Sequence, residues 1–171
     1  MKHFLTATLV ALMMALLPET VEAKVTHLLP KPHVVNETKG TPFALNRPVT
    51  IVDATGCELL REFFTTNGCD IVDDGGATVN VTIANSIDGA YDYELDGFDN
   101  EAYTITVTGD PINITAVKPI GVIRAAQTLA QLAEGYDKGA EAIETVEIKD
   151  WAAFKLRGYM HDVGRSFISV D

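Results

Sequence analysis

Apolar and polar residues alternate strictly through Thr78-Val-Asn-Val-Thr-Ile83, which puts Val79, Val81 and Ile83 on one face. A two-residue period predicts a strand with one buried and one wet face. The same rhythm runs through Glu101 to Thr108 and Ile112 to Val117, and Gly109-Asp-Pro111 between them predicts a hairpin. Pro48 to Val52 predicts another strand by its β-branched content, and Asp70 to Asp73 a short one ended by Asp74-Gly-Gly76. Helical spacing takes over from Cys57 to Thr66, where Leu59, Leu60, Phe63 and Phe64 share a face opposite Arg61, Glu62 and Thr65. Asp53-Ala-Thr55 supplies cap candidates for that helix, and Asn67-Gly68 stops it. A second helix is predicted from Val122 to Glu134, ended by Gly135.

These elements define an α+β domain: a mixed, mainly antiparallel sheet with two helices on one face, the other face being wet. The second helix shows only one polar stripe, Arg124, Gln127 and Gln131, and is apolar over most of its circumference. Such a helix needs cover on more than one side, so the sheet supplies one cover and a second domain the other. Before the first strand, Leu28-Leu-Pro-Lys-Pro32 is predicted to be extended, because each proline fixes its own φ and keeps its predecessor out of the helical region.

The first residues stand outside this pattern. Lys2 and His3 precede an apolar run from Phe4 to Leu17, too short to span a bilayer comfortably, and Val21-Glu-Ala23 offers small residues where a signal peptidase reads. Residues 1–23 are therefore expected to be a secretory signal peptide, and the protein to be periplasmic or extracellular with no membrane anchor. The 171 residues, 47% of them apolar, suffice for one domain with a real core. The formal net charge of −11 and the lack of a basic stripe argue against a nucleic-acid partner.

Export invites a disulfide between Cys57 and Cys69, the only cysteines. The helix between them is about 15 Å long at 1.5 Å per residue, and a disulfide needs Cα atoms within about 7 Å. Two free, largely buried thiols are expected. Three sequons begin at Asn36, Asn80 and Asn113; the last two fall within predicted strands, where a glycan fits badly. The acidic stretch from Asn85 to Asn100, with Asp88, Asp92, Glu94, Asp96 and Asp99, lacks the spacing of a calcium loop and is expected to be solvated, with no metal.

The end of the chain concentrates its charges differently. Gly158 to Val163 predicts a short buried strand, beside which Arg157, Asp162 and Arg165 need partners. On chemistry alone such a cluster is either a structural clamp or part of a site.

The order of these residues adds a resemblance. Arg157-Gly-Tyr-Met-His-Asp-Val-Gly-Arg-Ser-Phe167 resembles the opening barrel strand of glycoside hydrolase family 20, the β-N-acetylhexosaminidases, departing from it at His161 and Ser166. The apolar-Pro-Lys-Pro opening, the strand from Tyr103 and the helix segment Gln127-Thr-Leu-Ala-Gln-Leu132 also resemble that family's N-terminal domain, in its order. By this resemblance residues 24–148 are the N-terminal α+β domain, Glu144 to Trp151 is its last strand and the linker, and residues 149–171 contain the truncated start of a (β/α)8 TIM barrel. Arg157 would hydrogen-bond hydroxyls of a terminal N-acetylhexosamine, while Asp162 and Arg165 would be structural at the top of the barrel strand. The family uses no cofactor and recruits the substrate's own acetamido group, aided by an Asp-Glu pair on the fourth barrel strand. No stretch of these 171 residues stands in for that pair, so no catalytic residue is expected here, and the domain should contact the missing barrel within one polypeptide. Two alternatives stay open: a stand-alone carbohydrate- or partner-binding module, for which Tyr91, Tyr93 and Tyr103 are the candidate aromatics, or the accessory domain of another glycosidase, such as the family 84 hydrolases or the α-glucuronidases.

Overall fold

The structure, a computed structural model, describes residues 27–90, 100–134, 141–154 and 157–158. Residues 1–23, where a signal peptide is expected, lie outside the described residues, as do Tyr91, Tyr93, Gly135, Asp162, Arg165 and the expected strand beyond Gly158.

Among the described residues, eight strands and two helices follow in order: β1 (Val34–Glu37), β2 (Phe43–Ala44), β3 (Val49–Asp53), α1 (Glu58–Thr66), β4 (Ala77–Ile83), β5 (Tyr103–Val107), β6 (Ile112–Ala116), α2 (Pro119–Glu134), β7 (Ala142–Ile143) and β8 (Val146–Asp150). Six strands form one mixed sheet in the order β1-β8-β5-β6-β4-β3. The pairs β1/β8, β8/β5 and β5/β6 are antiparallel, and β6/β4 and β4/β3 are parallel. Parallel neighbours require a crossover, and α1 provides it between β3 and β4.

Alternation along the strands decides which face is covered. Tyr103, Ile105 and Val107 of β5 and Ile112, Ile114 and Ala116 of β6 are buried, whereas Thr104, Thr106, Asn113 and Thr115 between them are not. The inward residues join Leu60 and Phe64 of α1 and Val122 and Leu129 of α2 in one continuous core, so both helices cover the same face. On the wet face Asn80 Nδ2 donates to Asn113 Oδ1 at 3.0 Å across β4 and β6. Asn80 and Thr82, like Asn113 and Thr115, are two residues apart and share this face; the two sequons are what a one-sided strand spells when its inner residues are aliphatic.

Several expectations shift in detail. Leu59 is 38% exposed, because the buried stripe of α1 narrows to Leu60, Phe63 and Phe64. Ile83 is 45% exposed, since β4 runs past the cover of the helices. Residues 70–73 make no strand of their own: Ile71 forms an isolated parallel bridge to Val49, held by Val49 N–H to Asp70 O and Val72 N–H to Val49 O. α2 begins at Pro119, not Val122, since proline is tolerated in a first turn where its missing N–H has no helical partner. The N-cap of α1 is Cys57, which makes no side-chain capping bond, so the cap expected from Asp53-Ala-Thr55 becomes a turn held just ahead of the helix, while the Asn67-Gly68 stop stands where the sequence puts it. Asp53 accepts from Cys57 N–H at 2.9 Å and from Thr55 N–H and Oγ1 at 2.7 and 2.6 Å, and Gly68 leaves α1 with φ of 76°. Cys57 and Cys69 are free and buried.

β2 and β7 pair antiparallel as a separate two-stranded sheet, with Phe43 opposite Ile143. Phe43 meets Phe64 edge-on at 6.1 Å and closes the core beside α1.

Candidate functional site

The polar stripe on α2 is where the described residues open into a cleft of about 490 Å³. Arg124, Gln127, Thr128 and Gln131 form one wall at helical spacing. The ends of β5 and β8 form the floor, and Pro30, Lys31 and His33 with Trp151 to Phe154 and Arg157 form the rim.

On the floor, Tyr103 lies opposite Asp150 in the β5/β8 ladder. Tyr103 Oη is 2.6 Å from Thr128 Oγ1 and donates to Asp150 Oδ2 at 3.4 Å. Burial, reinforced by the neighbouring Asp150 carboxylate, pushes the Tyr103 phenol well above its ordinary range despite the opposing Thr128 hydrogen bond. Asp150 Oδ1 also takes His33 Nδ1 at 2.9 Å and His33 N–H at 3.2 Å, and the imidazole stacks on Trp151 at 3.9 Å between centroids. Nearby, Gln131 pairs with the Leu29 peptide as a strand would, accepting from its N–H at 2.8 Å and donating to its carbonyl at 3.0 Å. The Pro30-Lys-Pro32 segment, which the chain enters through a bend and a cis Leu29–Pro30 peptide, is thus pinned at both ends, to α2 and to β8.

The second cluster is built on Glu101. Asn100 Oδ1 accepts from Ala102 N–H at 2.9 Å and fixes the turn into β5. Glu101 Oε2 accepts from Arg124 Nε at 2.8 Å, and Glu101 Oε1 from Arg157 Nη2. Arg124 Nη1 donates in turn to Gln127 Oε1 at 3.1 Å. The Arg157 side chain is 50% exposed and Glu101's 18%, so the carboxylate is tucked under a guanidinium whose far side is open. Both carboxylates of the cleft are occupied by protein donors, and the arrangement positions segments. Partly exposed ion pairs of this kind are worth about 1 kcal/mol or less each, so their contribution is orientation more than stability.

The structure therefore places Arg157 at the rim of the cleft and brings it to Glu101. Sequence patterning singled out the α2 stripe but missed Glu101, His33 and Asp150 as its partners, because each sits where a strand starts or ends and no periodicity marks it. Among the described residues no cluster of three or more His, Cys, Asp or Glu is arranged for a metal, and no helix is long and apolar enough to cross a membrane.

A mixed sheet with two helices on one face, and a cleft between α2 and the β5/β8 end of that sheet, defines an α+β domain. The family model described as "Glycosyl hydrolase family 20, domain 2" matches residues 25–151, and the chain belongs to that family. The N,N'-diacetylchitobiase of Vibrio harveyi is 29% identical over 149 residues, which cover 85% of this chain and 16% of that protein. A β-N-acetylhexosaminidase of Cellulomonas fimi is 26% identical over 156 residues, covering 84% of this chain and 30% of the relative. A solved Vibrio harveyi family 20 exo-β-N-acetylglucosaminidase shares the fold with a TM-score of 0.60 at 23% identity, over 83% of this chain and 21% of that one. The chain spans less than a third of the length of these relatives.

Proposed function

We propose that this chain is the N-terminal accessory domain of an exported β-N-acetylhexosaminidase, and that residues 149–171 lead into the first strand of its (β/α)8 barrel. The complete enzyme removes terminal β-linked N-acetylglucosamine or N-acetylgalactosamine with the help of the substrate's acetamido group. The carboxylate pair for that reaction belongs to barrel residues outside these 171, and Arg157 is the contribution of this stretch to the sugar pocket. The observation that carries the reading is the place of Arg157: it follows the family domain directly, at the rim of the cleft, with one nitrogen on Glu101 and half of its side chain open. A guanidinium has five N–H donors, so the bond to Glu101 leaves the others for vicinal hydroxyls.

The experiment is Arg157→Ala in the protein encoded by the complete reading frame. Losing a charged hydrogen bond to a substrate hydroxyl costs on the order of 1.5–3 kcal/mol, roughly ten- to a hundredfold in kcat/KM. The expected result is that loss with Tm within a few degrees of wild type. An unchanged kcat/KM removes the sugar-binding role, and loss of folded protein in place of lost activity makes Arg157 a clamp on the linker.

A further inference from the structure

The Glu101 carboxylate stands on an unusually fixed platform. The Asn100 side chain sets the backbone turn just before β5. On the opposite side the first turn of α2 rests directly on this backbone. A Cβ added at Gly121 would lie 2.7 Å from Ala102 O and 3.3 Å from Glu101 O, so only glycine allows the approach. One carboxylate oxygen is then held by Arg124, itself held by Gln127, which leaves the other oxygen directed at Arg157. The chain thus fixes an anion between the turn into β5 and the first turns of α2, with one oxygen on Arg124 and the other presented to the half-exposed Arg157 guanidinium.

We propose that Glu101 is a positioning residue for Arg157: it anchors one edge of the guanidinium to the accessory domain so that the remaining donors hold a fixed direction toward the sugar hydroxyls. This rests on the reading of Arg157 as a sugar-binding residue. It also gives the accessory domain a part in substrate binding that its lack of catalytic carboxylates would not suggest. A lysine at position 124 would not replace the arginine, because the Glu101–Gln127 bridge uses two separate nitrogens of one planar group.

The test is a double-mutant cycle in the complete protein, with Glu101→Gln, Arg157→Ala and the pair, read as kcat and KM separately on an aryl N-acetyl-β-glucosaminide. Glu101→Gln keeps the volume and an acceptor but removes the charge. The expected result is a fall of about three- to tenfold in kcat/KM, mostly through KM, because a loosened Arg157 weakens ground-state and transition-state binding together. In the Arg157→Ala background the same substitution should change kcat/KM by less than about twofold, since coupled residues are non-additive. Glu101→Asp, which keeps the charge one methylene short, should recover part of the loss. An equal effect of Glu101→Gln in both backgrounds, or none in wild type while Arg157→Ala is impaired, overturns the proposal and leaves the role of Arg157 standing. If Arg157→Ala itself is silent, both fall together.

Discussion

Replacing Gly121 by alanine should destabilise the domain, although helix propensity argues for the opposite. Alanine within a helix is favoured over glycine by about 1 kcal/mol. Against that gain, the new Cβ would stand 2.7 Å from Ala102 O, 3.0 Å from Ala116 Cβ and 3.3 Å from Glu101 O. Two of these are backbone atoms at the mouth of the β5/β6 pair and the third is a methyl attached directly to backbone, so no flexible side chain can yield. Relief requires α2 to lift from the sheet, opening the contacts of Val122 and Ala125, both fully buried. Overpacking of this kind costs typically about 1–3 kcal/mol; with three rigid contacts the upper part of that range applies, and the net effect after the propensity gain is about 1–2 kcal/mol of lost stability. For a domain of this size that lowers Tm by roughly 3–8 °C. Thermal unfolding followed by circular dichroism, with urea titration to check that the m-value is unchanged, measures it directly. A Gly121→Ala protein that melts at or above the wild-type temperature would refute the packing of α2 against the start of β5, and with it the platform under Glu101.

Three further outcomes follow from the same geometry. Tyr103 has its phenol raised above the ordinary value near 10, so below that pH both folded and unfolded states keep the proton, while above it the unfolded state loses the proton first. Stability contributed by Tyr103 is therefore complete below about pH 10 and declines as pH rises further, and Tyr103→Phe should flatten the loss of Tm above that point. Asp53→Ala removes the acceptor of Cys57 N–H and Thr55 N–H in the turn that leads into α1 and should cost about 1–3 kcal/mol in chemical denaturation, with Asp53→Asn recovering part of it. Ellman titration of the unfolded, unreduced protein should find both Cys57 and Cys69 as free thiols; finding none would contradict their separation across α1.

The parts of the fold legible in the sequence are those where one local rule acts alone. Strands β4, β5 and β6 and both helices are written in their periods, because each has one face in the core and one in water. β2 and β7 are two residues long and carry no period at all; they exist because Phe43 and Ile143, a hundred residues apart, are both needed to close the core. β1 has no reading in the sequence, where the extended approach stops at Pro32, since its partner β8 lies more than a hundred residues on. The site divides in the same way. The stripe Arg124, Gln127 and Gln131 was visible as the polar interruption of an apolar helix, and Arg157 through the order of its neighbours. Glu101, His33 and Asp150 were not, because their roles come from tertiary placement: the Asp150 carboxylate gains meaning only when β8 lies between β1 and β5, bringing His33 and Tyr103 to its two oxygens.

Service of this domain in a β-N-acetylhexosaminidase is read out by the release of nitrophenol from an aryl N-acetyl-β-glucosaminide, comparing the product of the complete reading frame with the 171-residue chain, both repurified alongside a mock preparation. Turnover is expected from the former and none above the buffer blank from the latter, since the 171 residues hold no adjacent Asp-Glu pair to orient the acetamide and protonate the leaving oxygen. Turnover by the 171-residue chain, or a complete protein that releases neither N-acetylglucosamine nor N-acetylgalactosamine from aryl or chitooligosaccharide substrates, would contradict it.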